Sequence, residues 1–294
     1  MAERSNAQII ITLVITVAIG SLVSLAGSDG GDRVGSVPVF ALCGALAFGI
    51  NWLVFVPSAI AQTEHYYDLT GGITYITTTA VAVFLSGDLD LRATLVAAMV
   101  IFWSLRLATF LFRRISQSGK DSRFDQIKTR PLRFFMAWTL QGLWVLLTAA
   151  AALAVITGGA RTPIAVVGIA GFAVWTIGMV IEIVADRQKS SFKNDPKNDG
   201  KFINVGLWAW SRHPNYFGEI LLWTGMAIVA IPVLQGWQWV TLISPVFVAL
   251  LLIKVSGIPL LEQKADERWG GDADYEEYKR RTPVLIPMPP AAQT

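Results

Sequence analysis

Long apolar runs separated by short polar ones dominate this chain of 294 residues. Runs long enough to cross a bilayer, or nearly so, fall at roughly 8–26, 37–61, 72–86, 92–112, 133–157, 163–184, 215–234 and 237–258. A helical crossing needs about 20 residues. The third run is short by that measure and reads as a tilted or re-entrant piece, which leaves seven or eight crossings. Apolar and polar positions nowhere alternate with the period of two that a transmembrane barrel strand requires. The expected fold is therefore all-α, a polytopic bundle of transmembrane helices. No fixed-period repeat or low-complexity tract divides it, so residues 1–294 are taken as a single membrane domain.

Composition supports this. Hydrophobic residues make up 53% of the chain and charged ones 15%, with a mean hydropathy of +0.52, outside the range of ordinary soluble domains. The short loops near 27–36, 87–91 and 158–162 hold few basic residues. The segments 113–133 and 185–212 and the tail after 259 hold most of the rest. The excess of basic residues marks those three regions as cytoplasmic. This asymmetry accounts for the net charge of +3, so no nucleic-acid partner is implied. Cys43, the single cysteine, sits in an apolar run, and the two histidines, His65 and His213, are far apart. No disulfide framework or histidine-rich metal site is expected, and no metal is assigned. The first run has little basic charge before it and no clear small-residue cleavage site, so it is read as a retained span. The tail beyond Pro259 mixes aromatics with charges and suggests an amphipathic helix on the membrane surface. Only Pro287 to Thr294 look loose.

Charged groups inside spans cost about 2.5–3.5 kcal/mol on insertion scales and normally face a cavity or a partner. Four places stand out. The run Ser211-Arg212-His213-Pro214-Asn215-Tyr216-Phe217-Gly218-Glu219 opens an apolar segment. Proline favours the first helical turn and pushes its predecessor out of helical geometry, so a helix starts at Pro214 or Asn215. Asn215 and Glu219 then share a face with Trp223, with Tyr216 beside them. Arg212 and His213 beside a helix N-terminus suit a phosphate, while the carboxylate one turn inside suits a neutral or cationic group; a basic membrane anchor would explain Arg212 alone. Glu182 and Asp186 are spaced i, i+4 near a helix C-terminus, where carboxylates sit poorly. Arg187, Lys189 or a ligand must compensate. The run Glu64-His65-Tyr66-Tyr67-Asp68 bridges two apolar segments and offers proton donors and acceptors, or is simply an interfacial turn. Arg106 lies inside its span, either snorkelling or paired with Glu64 or Asp68. No G-x-G-x-x-G, P-loop or G-x-S-x-G motif occurs.

Gly206-Leu207-Trp208 followed by Ser211–Glu219 resembles the C-terminal region of the steroid 5α-reductase superfamily. More narrowly, the chain resembles the bacterial branch described as a steroid-reductase-like domain of unknown function. Tyr67-Asp68-Leu69-Thr70-Gly71, Trp103-Ser104-Leu105-Arg106-Leu107, Gly119-Lys120-Asp121-Ser122-Arg123-Phe124 and Tyr278-Lys279-Arg280-Arg281-Thr282-Pro283 extend the resemblance over most of 60–288. It implies an integral protein of the bacterial inner membrane. Such a protein binds NADPH from the cytoplasmic side and reduces a carbon–carbon double bond conjugated to a carbonyl in a lipophilic, steroid-like or other lipid, substrate. Residues 1–132 would supply the substrate-side helices, and 133–294 the cofactor-binding helices and tail.

Carried over by position, the resemblance puts Glu182, Asp186 and Lys193 at the cofactor, with Asn215 and Glu219 along its nicotinamide half and Tyr216 close by. Arg212, His213, Lys193 and Lys201 are candidates for the pyrophosphate and 2′-phosphate, and Arg280 or Arg281 for a cover over them. The Gln-Glu pair and tyrosine that polarise the substrate carbonyl in the steroid reductases have their candidates in Gln62, Glu64, Tyr66 and Tyr67. Of these, Glu64, Tyr66 and Tyr67 are the expected catalytic donors. Asp68 paired with Arg106 would leave Glu64 neutral and able to donate. Arg-His-Pro-x-Tyr also marks the isoprenylcysteine carboxyl methyltransferases, so an S-adenosylmethionine-dependent membrane methyltransferase is the alternative. A non-catalytic lipid-binding scaffold is a third reading.

Overall fold

The computed structural model of the chain describes residues 5–118 and 124–290. The Gly119–Arg123 part of the motif quoted above lies outside the described residues. The helices are α1 (Asn6–Gly27), α2 (Val39–Ile60), α3 (Tyr67–Leu85), α4 (Leu91–Ser118), α5 (Pro131–Thr157), α6 (Val166–Asn194), α7 (Pro214–Ala230), α8 (Ile243–Leu250), α9 (Ile258–Trp269) and α10 (Ala273–Arg281). A two-residue hairpin, β1 (Arg33–Val34) against β2 (Val37–Pro38), is the one named sheet among the described residues.

Among the described residues, eight stretches are long and apolar enough to cross a membrane, and the chain is an integral membrane protein with a helical fold. The short third run becomes a full helix of 19 residues because α3 starts at Tyr67, in what looked like a polar connection. Its threonines make this possible. The hydroxyls of Thr70, Thr74 and Thr78 donate to the carbonyls of Tyr66, Thr70 and Thr74, at 2.7, 2.7 and 2.8 Å. A threonine that bonds back one turn removes its own polar group from the apolar surroundings. The last crossing is composite: a 3₁₀ segment Gly236–Leu242, then α8, then a π turn Leu251–Val255 leading to α9.

The chain forms two compact units, Met1–Ala165 with Ala230–Ser244, and Val166–Val229 with Pro245–Thr294. In the first unit α5 touches α1, α2, α3 and α4. Beyond Gln141 it has no charged residue and no polar face, and residues 145–157 are all buried. A helix without a polar face is stable only when surrounded. Residues 133–157 accordingly fall within the first unit.

The second unit is organised by glycines spaced seven apart, Gly171 and Gly178 on α6 and Gly218 and Gly225 on α7. A Cβ added to Gly178 would lie 2.5 Å from the Leu222 nitrogen and 2.7 Å from the Gly218 carbonyl oxygen. One added to Gly218 would lie 2.7 Å from the Glu182 nitrogen, and one on Gly171 2.6 Å from the Val229 nitrogen. The two backbones are in contact and antiparallel, the close approach that small residues permit between membrane helices. The tail returns along the start of α7. The Arg212 N–H donates to the Pro283 carbonyl at 2.9 Å, and the Met288 N–H to that of Trp210 at 2.9 Å.

Candidate functional site

Pro214 opens α7 as its sequence position predicts, leaving Ser211, Arg212 and His213 as a short polar turn before the helix. The Ser211 hydroxyl accepts the His213 N–H at 3.1 Å and donates to the Leu285 carbonyl at 2.8 Å, which fixes the turn to the tail. Glu262, from α9, bridges the two basic residues. Its Oε2 lies 2.6 Å from Arg212 Nη1, and its Oε1 lies 2.7 Å from His213 Nε2. The basic pair expected to meet a phosphate is therefore already engaged by a carboxylate.

Burial lowers the pKa of His213 below its ordinary 6.5, and this outweighs the opposite pull of the Glu262 hydrogen bond. The ring is neutral at pH 7. The bond to Glu262 places the proton on Nε2, which leaves Nδ1 as an acceptor. Nδ1 is buried and has no partner among the described residues. The ring stacks on Tyr216, with centroids 5.6 Å apart and planes 10° from parallel. A histidine whose folded pKa lies below its unfolded value contributes stability above pH 6.5 that is lost on acidification, because the unfolded chain binds the proton more readily. The melting temperature of the purified protein is therefore expected to fall as the pH is lowered from above 6.5 through the folded pKa. His213→Asn should flatten that part of the curve; an unchanged slope in the variant would remove His213 as its source.

The glycine contact brings the α6 carboxylates to the start of α7. Glu182 and Asp186 are buried, and the Asn215 side-chain amide donates to Asp186 Oδ1 at 3.3 Å. Tyr216 and Glu219 are half-buried on the same helix. Of the ten residues expected at a cofactor, Glu182, Asp186, Arg212, His213, Asn215, Tyr216 and Glu219 thus gather around the α6–α7 contact.

Beside them is a cavity of about 270 Å³, enclosed by the 202–208 loop, α9 and α10. Phe202, Trp208, Trp269, Tyr275 and Tyr278 form its aromatic walls; Lys189, Arg212, Lys264 and Arg268 line it together with Glu262. The walls are tied down by polar bonds. The Tyr278 hydroxyl donates to the Trp208 carbonyl at 2.7 Å, and that of Tyr275 to Asp266 Oδ1 at 3.1 Å. Burial raises the pKa of both phenols, so they remain donors at any physiological pH. Lys193, Lys201 and Arg280 are not in this lining. All three are exposed, and Arg280 pairs with Glu277 one turn away at 2.5 Å.

In the first unit, the 64–68 run differs from expectation. Glu64 is buried, and its carboxylate meets Lys128 Nζ at 2.9 Å. Lys128, which the charge pattern did not single out, is an ion-pair partner of Glu64, and the carboxylate accepts its hydrogen bond. The hydrogen bond to Glu64 raises the Lys128 pKa. The Tyr67 hydroxyl donates to the Ala137 carbonyl at 3.0 Å while its ring packs on Phe124 and Trp138. Tyr66 is exposed and meets His65 edge-on at 5.0 Å.

The family model described as a protein of unknown function (DUF1295) matches residues 54–282. The 3-oxo-5-alpha-steroid 4-dehydrogenase 1 of Rattus norvegicus is 30% identical over 118 residues, 40% of either chain. The steroid 5-alpha-reductase DET2 of Gossypium hirsutum is 32% identical over 72 residues, 24% of this chain and 26% of its own. The probable O-methyltransferase ustE of Ustilaginoidea virens is 33% identical over 66 residues, 22% and 23% of the two chains. The chain thus matches two fifths or less of the length of these relatives. No solved structure matches it at a significant level.

Proposed function

The chain belongs to the DUF1295 family of proteins of unknown function, and from that premise we propose that it is a membrane-embedded, NADPH-dependent reductase of a conjugated carbon–carbon double bond in a lipophilic enone. Reductases among its relatives support the reaction class. One observation carries the choice of cofactor: four basic side chains and one carboxylate line the aromatic cavity of the second unit. Such a lining suits a polyphosphate and repels a sulfonium. S-adenosylmethionine, the cofactor of the alternative that the methyltransferase relative favours, carries a sulfonium and no phosphate. The donor set fits the nucleotide in a second respect, since His213 Nδ1 and Arg212 Nε are buried polar atoms without a partner among the described residues.

When bound, the dinucleotide supplies a hydride. In this reading Asn215, Tyr216 and Glu219 orient its nicotinamide half. Glu182 and Asp186 accept from amide and hydroxyl groups, and the neutral His213 accepts at Nδ1. The expected donors, Glu64, Tyr66 and Tyr67, belong to the first unit, and a single positioned donor to a developing enolate oxygen is worth about 3–4 kcal/mol. Tyr67 must release the Ala137 carbonyl to donate, and Tyr66 has the accessible hydroxyl. The cofactor side faces the cytoplasm of a bacterial inner membrane, as the distribution of basic residues suggests.

Thermal titration of the detergent-solubilised protein tests the reading. NADPH is expected to raise the melting temperature progressively with concentration, as linkage requires, and S-adenosylmethionine to leave it unchanged. Stabilisation by S-adenosylmethionine alone would transfer the protein to the methyltransferase reading.

A further inference from the structure

Three of the cations expected at the cofactor, Lys193, Lys201 and Arg280, do not line the aromatic cavity of the second unit. A different set lies in its wall. Lys264 and Arg268 are one helical turn apart on α9, and both line the cavity, as does Lys189 from α6. Glu262 bridges Arg212 and His213, Asp266 accepts from Lys279 at 2.6 Å and from Tyr275, and Glu267 accepts from Gln263 at 2.8 Å. Arg268 lies over the Trp269 ring at 4.9 Å and Lys189 over the Trp208 ring at 4.5 Å. A guanidinium stacked on an aromatic face still presents its N–H edge to an oxyanion.

Size narrows the ligand. A cavity of about 270 Å³ falls just under the roughly 300–1,000 Å³ of pockets that enclose whole drug-sized ligands, so it holds one end of a dinucleotide and not all of it. Aromatic walls favour the purine, and the basic rim favours a doubly charged phosphomonoester over the pyrophosphate diester. We propose that this cavity is the subsite for the adenosine 2′-phosphate end of the cofactor, with Lys264 and Arg268 reading the phosphate and Trp208 and Phe202 flanking the purine. The assignment rests on the NADPH reading above and adds the residues that set NADPH apart from NADH. Because α9 belongs to the amphipathic tail, the same cations would also suit a lipid phosphate, and the experiment separates the two sources.

Equilibrium binding of 2′,5′-ADP, 5′-AMP, NADPH and NADH is measured in neutral detergent with the wild type and with Lys264→Ala/Arg268→Ala. Both substitutions are at exposed positions and are expected to leave the melting temperature unchanged. The wild type should bind 2′,5′-ADP at least about tenfold more tightly than 5′-AMP, roughly the size of one charged hydrogen bond. The double variant should lose that margin for 2′,5′-ADP and NADPH while retaining its affinity for 5′-AMP and NADH. Unchanged NADPH affinity in the variant, or equal losses for NADPH and NADH, would overturn the subsite and leave the reductase reading standing. Loss of binding to phosphatidic acid vesicles with NADPH binding intact would overturn it in favour of a lipid phosphate. Selective binding of 2′,5′-ADP by a wild type that fails to bind NADPH would instead support the subsite and sink the reductase reading.

Discussion

Gly178→Ala is expected to cripple the second unit. The added methyl would stand 2.5 Å from the Leu222 nitrogen and 2.7 Å from the Gly218 oxygen, both backbone atoms that no rotamer change can move away. The helices must separate, and α7 then carries Asn215 away from Asp186. Overpacking a tight contact costs about 1–3 kcal/mol, and a backbone-to-backbone clash falls at the upper end or beyond. A large fall in melting temperature together with loss of cofactor-induced stabilisation is the expected result. Gly49→Ala is the control: the position is helical, and an added Cβ meets nothing within 4 Å. It should be neutral or slightly stabilising, since alanine is favoured over glycine in helices by about 1 kcal/mol. Equal behaviour of the two variants would show that α6 and α7 are not in backbone contact.

Glu262→Ala is expected to produce the next largest loss. The carboxylate holds both Arg212 and His213, and its removal leaves a largely buried guanidinium without its counter-ion. Breaking a fully buried pair costs about 3–5 kcal/mol. Here the side chains are 13% and 23% exposed, so water recovers part of that and the lower end applies, about 3 kcal/mol. Glu262→Gln keeps one acceptor and should lose less. Melting curves that superimpose on the wild type for both variants would reduce Glu262 to a surface residue.

Much of this was legible in the sequence, and the reasons differ by element. The apolar runs gave the helices because hydrocarbon demands both length and uninterrupted apolarity. Pro214 gave the start of α7 because its ring fixes local geometry. The beginning of α3 was not legible: Asp68, Thr70, Gly71 and Gly72 have the composition of a loop, and only the back-bonding of the threonines shows why they are helical. The polar convergence of Glu182, Asp186 and Asn215 was legible as chemistry, since each is costly where it stands. What brings them together, the seven-residue spacing of Gly171 with Gly178 and Gly218 with Gly225, was present in the sequence and was overlooked. Glu262, Lys264 and Arg268 carried no such signal. In a charged amphipathic tail every residue looks solvated, and only the fold shows which line the cavity. Lys128 was hidden for a similar reason, lying among other basic residues whose evident role was to set orientation.

The central proposal is hydride transfer from NADPH to a membrane lipid, and a double-label incubation tests it most directly. Membranes containing the protein are supplied with NADPH deuterated at the transferable position, S-adenosylmethionine carrying an isotopically labelled methyl group, and a total lipid extract spiked with a 3-oxo-4-ene steroid as a probe enone. The lipid fraction is then read by mass spectrometry against membranes lacking the protein. The account predicts protein-dependent deuterium in a saturated product and no labelled methyl group. Labelled methyl in the lipids, with no deuterium, would contradict it.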